Sequence, residues 1–331
     1  MDKMSSTRSK LIELLSANET TYISGQLLSD ELNISRSAIW KHMNELKKDG
    51  YEIEGKANRG YRIISYPDKI SENTISWGLD TEWLGKKIVH KDSVPSTQRV
   101  AHELALNGAK HGTIVIADEQ TEGKGRMDKD FHSKKEQGIW MSMILRPDIL
   151  PYLAPQLTLL TATVLANVIE RHTKIKPQIK WPNDVLIDGK KVSGILTEMQ
   201  AEQDKIVYIV VGIGININQQ QADFPQELQK RVTSLSMVTE KKWDIVPFIQ
   251  ALCQTFEQKY NQFIHHGFNP VKIDWENYGF RMNERLQITT KKEQWEGLFI
   301  GISEDGALLA KKDSGIIERI YSAEISWFQE E

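Results

Sequence analysis

The hydrophobic pattern of the chain changes character twice, and this divides it before composition is considered. Up to about residue 65, apolar residues recur at helical spacing and end in two short alternating runs. Between 66 and 280, strand-like runs interleave with long amphipathic helices. From 281 the helical signal stops and only short strands remain. The 331 residues accommodate two or three domains. The pattern therefore predicts a multidomain α+β protein divided at 1–65, 66–280 and 281–331.

In the first unit, Leu11, Ile12, Leu14 and Leu15 predict a short amphipathic helix. Ser24 offers an N-cap for a second helix running to Leu32, and Asn33-Ile34 reads as a tight turn. Ser35 caps a third helix that ends near Asp49-Gly50, with glycine as its C-cap. Residues 51–54 and 61–64 flank a turn of Gly, Lys, Asn and Arg, which is a hairpin signal. Three helices followed by a hairpin is the order of a winged helix-turn-helix.

On the third helix Ile39, Met43 and Leu46 share one face, while Ser37, Trp40, Lys41, Asn44 and Lys48 lie opposite. Outward Ser, Lys and Asn suit base edges and phosphates in a major groove. Ser35 and Arg36 in the first turn, with Lys56, Asn58 and Arg59 at the wing tip, complete the candidate DNA surface. Trp40 either touches DNA or wedges against the wing. The chain's net charge of −3 gives no global attraction to nucleic acid, so the argument is local. Residues 33–62 carry seven Lys/Arg and four Asp/Glu. That surplus implies weak binding by one copy and favours a dimer reading two half-sites. The bland alternative is a winged helix used only for protein contacts.

Pro67 and the polar run 68–73 read as a linker. Beyond it, 113–117, 138–145, 185–187, 192–198 and 206–217 read as strands, and 153–173 and 245–264 as helices. Short turns, such as Asp188-Gly189, imply a largely antiparallel or mixed sheet backed by helices. In the last unit, 286–289, 296–302, 307–311 and 316–321 read as strands of a small barrel, with Asp305-Gly306 as a hairpin signal. The single cysteine, Cys253, lies in a helical apolar pattern with Ile249, Leu252 and Phe256 and reads as a buried thiol. With no disulfide available and a polar N-terminus, the expectation is a cytoplasmic protein without a membrane segment.

Four segments of the middle unit carry chemistry. Ser96-Thr97-Gln98 opens a helix after Pro95, where hydroxyls and an amide hold a small polar group, although simple capping explains Ser96 equally well. The loop from Gln120, QTEGKGRMDKDFHS, sets Lys124 and Arg126 among glycines that allow close backbone approach. It is not a Walker loop. KWPND, Lys180 to Asp184, supplies Asn183 and a carboxylate suited to Mg²⁺; KKVSGIL then brings Lys191 and Gly194. Last comes GIGININ from Gly212, where glycines inside an apolar strand imply close approach of a ligand or another chain.

With these four segments in this order and spacing, together with SRSAIWKH in the winged unit, the chain resembles the bifunctional biotin–protein ligases that double as biotin operon repressors. The resemblance covers the whole chain. It implies a class II synthetase-like biotin/lipoate ligase fold in the centre and an SH3-like barrel at the C-terminus. It implies that biotin and Mg-ATP form biotinyl-5′-AMP and pyrophosphate. The acyl group then passes to a lysine of a biotin carboxyl carrier domain of the acetyl-CoA or pyruvate carboxylase type.

Carried over by motif, Ser96, Thr97, Gln98 and Gln120 contact biotin. Lys124, Gly125 and Arg126 close over biotin and the adenylate, beside Gly194 and Gly212. Lys191 and Arg126 act on the carboxylate and phosphate oxygens. Lys180, Asn183, Asp184, Asn216 and Phe131 face the nucleotide, with Asp184 toward transient Mg²⁺. No cofactor is held permanently. The adenylate serves as corepressor, a homodimer forms on binding it, and operator DNA is the second partner; the strand from Gly212 is the expected dimer edge. The sequence departs from the family loop after Arg126, where Asp128 and Asp130 add two carboxylates and weaken retention of an anionic adenylate. The alternatives are a lipoate or octanoate ligase, a repressor that senses a ligand without ligating it, and a ligase whose DNA unit no longer represses.

Overall fold

In the computed structural model, residues 7–16, 21–48, 50–67, 69–77, 79–290 and 293–327 are described. They divide into two compact units: Met1–Asp80 with Asp244–Gln250, and Thr81–Trp243 with Ala251–Glu331.

The smaller unit contains α1 (Thr7–Ser16), α2 (Gly25–Leu32), α3 (Arg36–Lys48), β1 (Glu52–Lys56) and β2 (Gly60–Ser65). Ser24 caps α2 by accepting a hydrogen bond from Leu27 N at 3.1 Å. Ser35 does the same for α3 through Ala38 N at 3.2 Å. The turn between them needs a left-handed residue, which Asn33 supplies at φ 51°. Ile39, Met43 and Leu46 are buried with Leu11, Leu15 and Leu28, so the apolar stripe of α3 faces this core as its periodicity predicts. The run expected to be a linker is structured. Ser71 and Thr74 form a capping box on a short helix, α4 (Glu72–Ser76), and Gln250 Nε2 donates to Ile75 O at 3.0 Å.

The larger unit is built on a seven-stranded sheet. Its strands are β3 (Ile88–Val94), β4 (Thr113–Gln120), β5 (Gly138–Leu145), β6 (Gln178–Lys180), β7 (Asp184–Ile187), β8 (Lys190–Glu202) and β9 (Lys205–Asn216). The order is β3-β4-β5-β9-β8-β7-β6. Only β3 and β4 run parallel, joined by α5 (Thr97–Leu106); the rest is antiparallel. Asp188 and Gly189, at φ 50° and 72°, make the tight β7–β8 turn that only such residues allow. The remaining helices of this unit are α6 (Pro155–Thr173), α7 (Leu235–Thr239), the part of α8 (Ile245–His266) that follows Gln250, and α9 (Asn269–Tyr278). By length and composition alone, Pro151–Thr173 could cross a membrane, but most of it is buried within this unit. That pattern belongs equally to a core helix.

One expectation is corrected here. The Gly212 strand is no edge: β9 is flanked along its length by β5 and β8. Beyond Ile195, by contrast, β8 has left the β7 side and pairs only with β9. The C-terminal strands β10 (Arg285–Thr289), β11 (Gln294–Ile302), β12 (Leu308–Lys311), β13 (Ile317–Ile320) and β14 (Glu324–Trp327) form one antiparallel sheet. Its order is β13-β12-β11-β10-β14, with no closing pair among the described residues.

Candidate functional site

The four sequence segments converge on one cleft in the larger unit. Its floor is a hydrogen-bonded set of neutral groups. Gln120 Oε1 accepts from Thr97 N at 2.8 Å and from Thr97 Oγ1 at 3.0 Å. Thr97 Oγ1 lies 2.9 Å from Ser142 Oγ, which donates to Gln98 Oε1 at 3.1 Å. Gln98 Nε2 in turn reaches Val210 O at 3.2 Å. Ser96 is buried and makes no capping hydrogen bond, so the bland capping reading fails for it. A Cβ on Gly212 would lie 2.5 Å from Gln98 Oε1, so any side chain there would fill the floor.

The walls are charged. Lys191 Nζ stands 2.7 Å from Asp184 Oδ1. Arg126 lies at the tip of the glycine loop in a single 3-10 turn, Arg126–Asp128. Burial pulls its guanidinium below its ordinary range, and the Asp184 carboxylate opposes that pull. The loop is itself a small hairpin: Gly125 N donates to Lys129 O at 2.7 Å and Phe131 N to Gly123 O at 2.8 Å. It carries Phe131 onto the sheet. A Cβ on Gly214 would meet the Phe131 ring at 2.4 Å, and one on Gly194 would meet Lys191 Nζ at 2.9 Å. In this conformation the strand glycines make room for the protein's own aromatic ring. Lys124, Gly125, Lys180 and Asp130 also line the cleft. The Asp128 side chain falls outside the described residues.

Two expected nucleotide residues are engaged otherwise. Asn183 Nδ2 donates to Ile195 O at 2.8 Å, tying the KWPND turn to β8. Asn216 is buried behind the lining, where its Nδ2 donates to Thr233 O at 3.0 Å. Thr233 N in turn donates to Lys191 O, and Lys191 N donates to Arg231 O. Asn216 therefore sits one step behind the Lys191 backbone.

Sequence reading missed Met141 and Ser142, Trp181 and Pro182, and Ala323 and Ile325, all of which line the cleft. Ser142 had a signal: it is the lone hydroxyl in an otherwise apolar buried strand. Ala323 and Ile325 come from the C-terminal sheet, which is held to the cleft by Trp181 Nε1 donating to Gly306 O at 3.2 Å. Glu198 lies farther along β8. A hydrogen bond from His102, then ones involving Gln98, hold its carboxyl below the usual range. Cys253 is buried, and burial pushes its thiol up to about 12, which removes it from chemistry.

In the smaller unit, Arg36, Ser37, Trp40 and Asn44 of α3 line a groove with Lys56, Asn58 and Arg59 of the hairpin. Ser35 and Lys41 are exposed but lie outside that lining. Trp40 is 61% exposed, which removes the wedge reading. Lys56 is partly committed, 3.3 Å from Glu54. Hydrogen bonds from Tyr22, Arg62 and Lys56 bring the Glu54 carboxyl down to about 2.

Family models match three segments. A helix-turn-helix domain covers residues 7–62, the biotin/lipoate A/B protein ligase family covers 91–216, and a biotin protein ligase C-terminal domain covers 282–327. The chain is 48% identical over 321 residues to the bifunctional ligase/repressor BirA of Bacillus spizizenii, covering 97% of this chain and 98% of that one. It is 27% identical to the Escherichia coli (strain K12) protein of the same name, covering 96% of each. Among solved structures, the Aquifex aeolicus biotin protein ligase in complex with biotin and ATP matches with a TM-score of 0.63 and 30% identity. That match covers 73% of this chain and 98% of the other.

Proposed function

Since the chain belongs to the bifunctional ligase/repressors of the biotin/lipoate A/B protein ligase family, we propose that the cleft activates biotin with ATP and biotinylates a carrier lysine, while the winged unit represses transcription. The observation that carries the catalytic half is the convergence of Lys124, Arg126 and Lys191 over a floor of neutral hydroxyls and amides. A ureido ring needs neutral donors and acceptors, and a carboxylate meeting a phosphate needs cations.

In the first step a biotin carboxylate oxygen attacks the α-phosphorus of ATP and pyrophosphate leaves. Both reactants are anionic, and charge builds on the phosphoryl oxygens. Lys191 and Arg126 are assigned to hold those oxygens, and Gln98, Thr97, Ser96 and Gln120 to fix the ring. Gly125, Gly194 and Gly212 let ligand and backbone approach closely, and Phe131, Lys180 and Asn183 are assigned to the nucleotide side. Asp184 is the carboxylate for the Mg²⁺ that arrives with ATP; a single carboxylate beside phosphates fits an ion that keeps most of its waters. The ligand-free Asp184–Lys191 pair keeps both charges in place until substrate separates them. In the second step a carrier amine attacks the acyl carbon and AMP departs.

For the repressor half, biotinyl-5′-AMP is assigned as corepressor, acting by closing the glycine loop and favouring a homodimer. The run of β8 beyond Ile195, which pairs with β9 on one side only and where Met199 and Gln200 are exposed, supports that assignment as the dimer edge. Ser35, Arg36, Ser37, Lys41, Asn44, Lys56 and Arg59 are assigned to operator DNA. The boundaries 1–65, 66–280 and 281–331 belong to the same proposal, as does a cytoplasmic site of action.

The test offers Mg-ATP, an apo carrier domain and biotin, lipoate or octanoate separately, and reads the carrier mass. A biotin-sized gain that is lost in Lys191→Ala and Arg126→Ala supports the reading. A gain with lipoate or octanoate alone, or no gain at all, overturns it. Sedimentation showing a monomer in every ligand state would sink the dimer assignment.

A further inference from the structure

At the outer edge of the seven-stranded sheet, away from the cleft lining, three metal-ligating side chains lie together. His90 and Asp92 stand two residues apart on β3, so they point to the same face. The parallel ladder pairs His90 with Ile116 and Ser93 with Glu119, which sets Asp92 level with Asp118 on β4. His90 Nε2 is 2.8 Å from Asp118 Oδ1. One ligand atom from each of the three residues lies within 4.8 Å of the other two.

Two carboxylates level with one another on adjacent strands repel. A protonated His90 offsets one of them; a divalent ion offsets both and takes a neutral imidazole as ligand. One nitrogen and two carboxylate oxygens form a donor set that suits Zn²⁺, Co²⁺ or Mn²⁺ rather than Ca²⁺. Donors bound at zinc distances stand roughly 3.0–3.4 Å apart, so the present spacing has to contract by rotation of side chains. His90 and Asp118 are half-buried and already near that spacing, while Asp92 is exposed and turns without disturbing the core. β3 is an edge strand, so solvent can complete the shell.

We propose that His90, Asp92 and Asp118 bind a divalent transition-metal ion, separate from the Mg²⁺ that accompanies ATP. The ion would fasten β3 to β4. Those two strands lead directly into the Ser96–Gln98 segment and to Gln120, so it would brace the frame of the cleft floor.

The test titrates the full chain with Co²⁺ and with Zn²⁺ in the absence of nucleotide, by calorimetry and visible absorption. One equivalent should bind with a Co²⁺ spectrum of mixed nitrogen and oxygen ligands. Asp92→Asn, an exposed change that leaves the His90–Asp118 pair intact, should weaken binding at least tenfold. His90→Gln should abolish the nitrogen signature. Asp184→Asn should leave the equivalent in place. Binding that is absent below about millimolar metal overturns the proposal, as does binding unchanged in Asp92→Asn or lost in Asp184→Asn.

Discussion

Gly212→Ala tests whether the cleft floor is the recognition surface for the small acid. The added Cβ would lie 2.5 Å from Gln98 Oε1, and ordinary contact begins near 3.4 Å, so the amide must retreat by about 0.9 Å. Gln98 has no slack to do so. It is buried, accepts from Ser142 at 3.1 Å and donates to Val210 O at 3.2 Å. Overpacking of this kind costs about 1–3 kcal/mol, and losing the Ser142 hydrogen bond adds about 1 kcal/mol. A displacement near 1 Å in a positioning group lowers reaction efficiency by up to about 10²-fold. Gly212→Ala should therefore weaken biotin binding by about 10–100-fold, read by calorimetry, and leave the KM for ATP within a few-fold. Chemical unfolding should show a loss of about 2–4 kcal/mol. Adding Gln98→Ala removes the clashing atom, so the double variant should recover about 1–3 kcal/mol of stability relative to additivity. Biotin affinity within twofold of wild type, with stability unchanged, would refute this account of the floor.

Lys191→Met should separate catalysis from stability. The Lys191–Asp184 pair is partly exposed and so contributes at most about 1 kcal/mol to folding, but losing a cation aimed at developing charge should cut adenylate formation by about 10²–10³-fold. A fall of less than threefold in pyrophosphate release would remove Lys191 from the reaction. Asp130→Asn removes a carboxylate from the lining of the adenylate loop and should slow release of biotinyl-5′-AMP. Glu198 has a lowered pKa, so the stability it contributes is present above its ordinary value of 4.5 and is lost as pH falls through its lower folded value. The Tm difference between wild type and Glu198→Gln should accordingly shrink below pH 4.5, and a constant difference would show that His102 does not hold it.

The parts of the fold that were legible in the sequence are those with strong periodicity. The α3 stripe and the strand 138–145 appear as read. The strand β3 was missed because IVHKDSV interrupts its apolar alternation with His90, Lys91, Asp92 and Ser93. The helix α9 was missed because only Val271 and Trp275 on it are buried. At the site, motif order brought Ser96, Gln120, Lys191 and Gly212 to one cleft correctly. Asn216 lies behind the lining, and the chain that covers it, Arg231–Thr233, lies some fifteen residues further on, so no local pattern announces their contact. The glycines of GIGIN had a reason, but it differs between them: Gly212 clears the Gln98 amide and Gly214 the Phe131 ring, and only the folded loop shows the second.

The winged unit raises a question that its charge count alone leaves unsettled, and salt dependence answers it. Of its positive charges, Arg62 and Lys56 share the Glu54 carboxylate, with Arg62 at 2.9 Å. The exposed cations outside that network on the recognition helix and wing turn include Arg36, Lys41, Lys47 and Arg59. If about four phosphates are neutralised per copy, the slope of log K against log salt is about −3.6 for one copy and about −7 for two. Fluorescence anisotropy of operator DNA, titrated with salt at saturating biotinyl-5′-AMP, reads that slope directly. A value near −7 with adenylate and near −3.6 without it is the expected result. It would mean that the ligand changes how many copies hold the DNA and leaves each copy's contacts alone. Arg59→Ala should then reduce the dimer slope by about 1.8, since each of the two copies loses one contact. The same shallow slope with and without adenylate would refute coupling through dimerisation, even if the protein remains a competent ligase.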